Sequence, residues 1–212
     1  MLTRLLRFLF FAGIIRPAAL LLLGVNVRFR ERLPRKGPAI LVANHNSHVD
    51  TAILMSLFSL GDMLKYVQPV AAADYWLKNR AIGYFALRIV GVIPIVRDRS
   101  QQDPLEPISQ SLANGRIVIF YPEGTRGEPE RMGKFKSGIA RLAERNPDVP
   151  IIPIFLHGVG KVLPRGEGLL IPFSCDAFIG EPLRWSGKEK FLPELEERFR
   201  KQAEEAHFSA WE

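Results

Sequence analysis

AILVANHNSHVDTAILMSLFSL, residues 39–60, reads as a strand, a turn and a helix in that order. Ala39–Ala43 is a continuous apolar run of strand length, the pattern of a strand covered on both faces. Asn44-His45-Asn46-Ser47-His48-Val49-Asp50 then breaks it with polar, turn-forming residues. Ser47-x-x-Asp50 has capping-box spacing ahead of the apolar run Ala52–Leu60, so a helix is expected over Thr51–Leu60. On one unbroken helix, residues five apart are turned by about 500°, which would point His45 and Asp50 roughly 140° apart. They can meet only if His45 sits in the turn and Asp50 in the first helical turn. Two other readings share this spacing. Asp50 can be a plain helix cap beside an ordinary loop histidine. Alternatively, His45, His48 and Asp50 can be metal ligands, although only His157 and His207 remain to complete a histidine-rich cage.

Outward from this unit, the alternation continues. Strand-like apolar runs occur at Val90–Val96, Ile117–Phe120 and Val149–Leu156, with a weaker one at Leu169–Ile179. Helix-like stretches lie at Tyr75–Ile89, Pro104–Ala113, Ser137–Arg145 and Leu192–His207. Strands alternating with helices predict an α/β fold, a mixed and mostly parallel sheet flanked by helices. A length of 212 residues suits one such domain with a short appendage. The single cysteine, Cys175, excludes an intrachain disulfide and fits a reducing compartment.

The appendage is amino-terminal. Residues 1–36 hold Arg4, Arg7, Arg16, Arg28, Arg30, Arg32, Arg35 and Lys36 against one acid, Glu31. The rest of the chain carries 21 basic and 21 acidic residues, so the net charge of +7 resides in the first 36. These cations bracket Phe8–Val27, whose only charge is Arg16. A nucleic-acid binder more usually spreads its basic residues over a folded face, and none is expected here. Basic flanks around an apolar segment instead suit an anionic bilayer. Arg16-Pro17 splits the segment into Phe8–Ile15 and Pro17–Val27, each shorter than the roughly 20 residues a span needs. Two short helices lying in one leaflet are therefore expected, rather than a crossing helix or a cleaved signal. The expected organisation is a membrane-associating helical segment with a basic linker, 1–36, followed by an α/β catalytic domain, 37–212.

Two further stretches carry chemistry. Tyr121-Pro122-Glu123-Gly124-Thr125-Arg126 follows the strand Ile117–Phe120, where α/β proteins place ligands. In it, Gly124 permits close backbone approach and Arg126 can fork onto a phosphate. Lys134 and Lys136 lie just downstream. Gly91-Val92-Ile93-Pro94-Ile95-Val96-Arg97 is a buried strand delivering an arginine at its end. No Gly-x-Ser-x-Gly elbow supplies a serine nucleophile, and Val162 after Gly158-Val159-Gly160-Lys161 fails the phosphate-loop pattern.

The histidine block, the arginine-ended strand, the Glu-Gly-Thr-Arg loop and Val149-Pro150-Ile151-Ile152-Pro153-Ile154 occur in that order. Together they resemble the four motifs of the glycerolipid acyltransferase family, which includes bacterial 1-acylglycerol-3-phosphate acyltransferases. The resemblance covers about Ala39 to His157. It implies that His45 and Asp50 are the catalytic pair. Arg97, Glu123, Gly124, Thr125 and Arg126 would bind the acceptor, joined by the basic residue Lys136. It further implies transfer of an acyl chain from acyl-CoA or acyl-carrier protein to a lysophospholipid hydroxyl, making phosphatidic acid at the cytoplasmic face of the cell membrane. No cofactor or metal is called for. Departures from the family pattern are Pro94 for a common aromatic, Tyr121 for phenylalanine, and Gly127 for serine.

Overall fold

The computed structural model describes residues 2–21, 23–47, 49–76, 79–96, 103–127, 132–159 and 173–205. Strand β2 (Ala39–Ala43) lies mid-sheet, with every residue buried. It pairs in parallel with β5 (Ile117–Phe120) on one side and β6 (Ile151–His157) on the other, Ile40 facing both Val118 and Ile151. Beyond β5 come β3 (Val67–Ala72) and β4 (Ile93–Ile95), both parallel. Beyond β6, β7 (Phe173–Ile179) turns antiparallel, and β1 (Leu23–Arg28) runs parallel to β7 at the edge. The order β1-β7-β6-β2-β5-β3-β4 is thus the expected mixed, mostly parallel sheet.

Alternation along the central strands sorts their side chains into two cores. Ala39, Leu41, Ile117 and Ile119 face Ile53 and Leu54 of α3 (Asp50–Ser56), Met63 of α4 (Leu60–Tyr66) and Phe11. Ile40, Val42, Val118 and Phe120 face the opposite layer. That layer is Ile108 and Leu112 of α7 (Glu106–Ala113), Ile139 and Leu142 of α8 (Gly138–Arg145), and Phe191, Leu195 and Phe199 of α9 (Phe191–Glu205). Phe199 meets Phe135 edge to face at 5.1 Å. Burial on both faces explains why these strands read as unbroken apolar runs.

The amino-terminal segment differs from its reading. Helix runs without a break through α1 (Leu2–Phe10), a π-turn (Phe11–Ile15) and α2 (Arg16–Leu21). The wider π-turn just before Pro17 accommodates a residue that cannot donate a backbone hydrogen bond, so proline does not end the helix here. The expected helix over Pro17–Val27 stops short, because Leu23–Arg28 joins the sheet beside β7. Val25 and Val27 favour that extended state, and Gly24 disfavours a helix. Strand β3 was not expected, since Gln68 and Pro69 interrupt its apolar pattern. The expected helix over Tyr75–Ile89 is in part α5 (Ala73–Trp76) and α6 (Arg80–Tyr84), α6 continuing as a π-turn, Phe85–Val90. Of the expected Leu169–Ile179 strand, Phe173–Ile179 is seen, and 169–172 lie outside the described residues. Among the described residues, no helix is long and apolar enough to cross a membrane.

Candidate active site

The site lies where the chain leaves the carboxyl ends of β2 and β5. Asn44 anchors the β2 exit: its amide donates to the Leu156 carbonyl at 2.8 Å and its oxygen accepts from Leu156 N–H at 2.7 Å. His45 therefore emerges from a fixed point before α3 begins at Asp50. Its Nδ1 lies 2.8 Å from Asp50 Oδ2, so the expected pairing across the turn forms. The same oxygen accepts the backbone N–H groups of Asn46 and Ser47, each at 2.8 Å. Asp50 thus supplies its half of a capping box by folding back onto the turn, and Ser47 Oγ accepts the Val49 N–H at 3.4 Å just ahead of α3. Two successive N–H groups aimed at one carboxylate hold the pair in place.

The Asp50 side chain is wholly buried, whereas that of His45 keeps 20% of its surface exposed. Burial pushes the Asp50 carboxyl above the usual carboxylate range, while its bonds to His45, Ser47 and Asn46 pull the other way. With Nδ1–H given to Asp50, His45 Nε2 carries the lone pair and can accept a proton.

The second loop packs directly against this turn. The Tyr121 ring stacks on the imidazole, with centroids 4.0 Å apart and planes 17° from parallel. Its hydroxyl and Thr51 Oγ1 are 2.8 Å apart, which fixes the ring from α3. Burial holds the Tyr121 phenol well above its ordinary pKa, aided by the nearby Asp50 charge, so the ring stays neutral. Glu123 is buried, and both of its oxygens are committed. Oε1 accepts from His45 N–H at 2.8 Å and Oε2 from Gly133 N–H at 2.9 Å. Burial raises its carboxyl too, against those two bonds. Gly127 N–H donates to the His45 carbonyl at 3.0 Å, closing a second link between the loops.

Gly124 adopts φ +71°, a left-handed conformation that favours glycine. A Cβ there would lie 3.2 Å from Lys136 Nζ, so that ammonium sits over the loop backbone. Gly124, Thr125 and Lys136 are exposed and Arg126 is half-buried. The structure thus gathers His45, Asp50, Glu123, Gly124, Thr125, Arg126 and Lys136 around one turn. Arg97 and His48 lie outside the described residues. Among the described residues, no group of three histidine, cysteine or acidic side chains is placed to hold a metal. Sequence reasoning missed Tyr121 as the ring on His45, Thr51 as its anchor, and Asn44 and Gly133 as backbone clamps. Only Tyr121, as a departure from the family pattern, gave any signal.

A histidine whose Nδ1 is held by a buried carboxylate can take a proton from a hydroxyl group. The family comparison agrees. The Acyltransferase family model matches residues 24–157, well over half of the chain, and the chain belongs to that family. It is 35% identical over 166 residues to the chloroplastic 1-acyl-sn-glycerol-3-phosphate acyltransferase of Arabidopsis thaliana, covering 76% of this chain and 44% of that protein. It is 32% identical over 123 residues to the lyso-ornithine lipid O-acyltransferase of Rhizobium meliloti, covering 57% and 39% respectively. The chain thus spans less than half the length of these curated relatives. The crystal structure of the 1-acyl-sn-glycerophosphate acyltransferase from Thermotoga maritima shares the fold. Its TM-score is 0.75 at 22% identity, covering 96% of this chain and 81% of that one.

Proposed function

We propose that this chain transfers an acyl group from a thioester, acyl-CoA or acyl-carrier protein, to the free hydroxyl of 1-acyl-glycerol-3-phosphate, yielding phosphatidic acid. The observation that carries this reading is the His45 Nδ1–Asp50 contact, which leaves Nε2 as the proton-accepting nitrogen. In the reaction, Nε2 removes the acceptor hydroxyl proton as that oxygen bonds to the thioester carbonyl carbon. Asp50 stabilises the resulting imidazolium and fixes its tautomer. The C–S bond then breaks, and the imidazolium returns its proton to the leaving thiolate. Arg126, Lys136 and, from the sequence, Arg97 are assigned to the acceptor phosphate, with Gly124 and Thr125 shaping the loop around it. Glu123 serves the same site indirectly. With both oxygens on backbone N–H groups it holds the His45 turn, and its carboxylate would repel a phosphate.

The apolar helix 2–21 is assigned to the cytoplasmic face of the cell membrane, where a lipid acceptor resides. Leu2, Leu5, Phe8, Leu9 and Ile14 are all exposed along it, and its neighbouring charges are cationic. A lyso-ornithine lipid is the second acceptor to test, since one relative, matched over a shorter stretch at 32% identity, is named for that headgroup.

Purified chain in detergent, given both donors and a panel of lysophosphatidic acid, lyso-ornithine lipid and monoacylglycerol, separates these readings. Lysophosphatidic acid is expected to be used most efficiently. His45→Ala is expected to abolish transfer to every acceptor. Arg126→Ala is expected to raise KM for lysophosphatidic acid by about 10- to 100-fold, the scale of a charged hydrogen bond, and to leave monoacylglycerol unaffected. Equal efficiency on lysophosphatidic acid and monoacylglycerol in the unmodified chain would refute phosphate recognition.

A further inference from the structure

Helix α6 and its π-turn are built inside out. The residues turned to the body of the protein are Gly83, Ala86 and Ile89, two of them small, at helical spacing. The larger apolar side chains face outward: Ile82 is 49% exposed, Phe85 36% and Leu87 40%. A surface helix normally does the reverse. Here Leu87 and Phe85 flank Tyr84, itself 53% exposed, so apolar side chains surround most of the free surface of the element, which marks an interaction site. This face also continues that of α1. Phe10 meets Phe85 edge to face at 4.9 Å, and the Arg7 guanidinium reaches the Val90 carbonyl at 3.4 Å. A Cβ on Gly91, at φ +83°, would lie 3.0 Å from that guanidinium, so the two elements are packed tightly together.

Charge identifies the occupant. Residues 80–90 contain Arg80 and Arg88 and no acid, just as residues 1–30 contain arginines and no acid. A protein partner would be expected to meet charges of both signs around an apolar centre, whereas an anionic lipid surface meets one sign only. We propose that residues 80–90 form a second membrane contact in line with the amino-terminal helix, so that the α/β domain itself rests on an anionic bilayer. This rests on the membrane association assigned above and adds a contact made by the domain. Two contacts fix an orientation that a single anchor leaves free, and they hold the site at a constant height over a lipid acceptor.

The test uses the 212-residue chain, delivered from dilute detergent to vesicles of phosphatidylethanolamine containing phosphatidylglycerol. The double variant Ile82→Asn/Leu87→Asn is expected to partition about tenfold more weakly than the unmodified chain. Its thermal unfolding is expected to be unchanged, because both side chains are exposed. Tyr84→Cys, labelled with an environment-sensitive fluorophore, gives an independent readout, since Cys175 is fully buried and leaves the introduced thiol as the labelling position. A blue shift on vesicles, quenched by brominated lipid, is expected. Should the double variant fail to fold, the labelled position decides alone.

An unshifted label on a chain that still binds vesicles overturns the second contact and leaves the amino-terminal anchor standing. A chain that fails to bind vesicles at all overturns both. A blue shift without lipid that grows with protein concentration assigns the face to a second copy of the chain, which also overturns the proposal.

Discussion

Asp50 shows how one residue answers to opposed requirements. Its carboxylate is wholly buried, which raises its pKa, yet it must be ionised to steady an imidazolium. The folded chain therefore holds the Asp50 proton more tightly than the unfolded chain, where a carboxyl titrates near 3.9. Its contribution to stability consequently falls as pH rises from about 4 through the raised folded value. Asparagine carries no such charge. Asp50→Asn is expected to gain thermal stability relative to the unmodified chain as pH is raised from about 4 to about 8. Its amide oxygen would take the place of Oδ2, which accepts from Asn46 and Ser47 N–H as well as facing Nδ1. The tautomer is thereby kept but the charge that steadies the imidazolium is lost, lowering turnover by about 10²- to 10⁴-fold. Parallel melts and turnover at both pH values check this. Identical stability differences at the two pH values, or retention of a tenth of the activity, would count against it.

At the scale of elements, the site is a joint between two turns rather than a cavity in one. Residues 44–50 and 121–127 are tied by Glu123 Oε1 to His45 N–H, by Gly127 N–H to the His45 carbonyl, and by the Tyr121 ring. A third segment completes it, because Gly133 N–H holds the other Glu123 oxygen. A Cβ at Gly133 would fall 2.5 Å from Glu123 Oε2, closer than real contacts allow. Gly133→Ala is thus expected to displace the carboxylate, loosen the His45 turn and cut turnover by about tenfold or more, the worth of a charged hydrogen bond. The KM for the donor should not change, as Gly133 touches only Glu123 in this network. A kinetic comparison settles it, and unchanged turnover would mean that Glu123 does not position His45.

For the whole molecule, the excess positive charge and the exposed apolar surface coincide at the amino-terminal side, while the rest is formally neutral. Not all of that charge is available to lipid. Arg30 donates to the Leu57 carbonyl at 2.8 Å, Arg32 to the Ile179 carbonyl at 3.1 Å, and Arg32 also pairs with Glu181 at 2.6 Å. The basic stretch after the helix therefore partly clamps it to the α/β body. Apolar insertion should accordingly dominate membrane binding. High salt is expected to leave the chain on vesicles, because it screens only the exposed charges, whereas detergent should release it. Sedimentation after a salt wash reads this out, and complete release by salt would show that helix 2–21 does not insert.

Local chemistry determined much of this in advance. The buried strands announce themselves because both of their faces are covered, so β2 and β5 appear in the sequence with the bounds they have in the fold. The His45–Asp50 pair was legible for a similar reason: five residues of turn followed by a helix leave few ways for the two side chains to meet. Elements whose stability comes from partners were not legible. β1 borrows its hydrogen bonds from β7, about 150 residues away, so a run that reads as lipid-bound helix becomes a sheet edge. β3 holds its place between β5 and β4 despite Pro69, because its neighbours fix it there. The clamps around the site belong to the same group. Nothing in Thr51, Gly133 or Asn44 marks it as a support for a histidine. Their roles exist only once β2, β5 and β6 bring their loops to one end of the sheet, a long-range packing decision that no local pattern encodes.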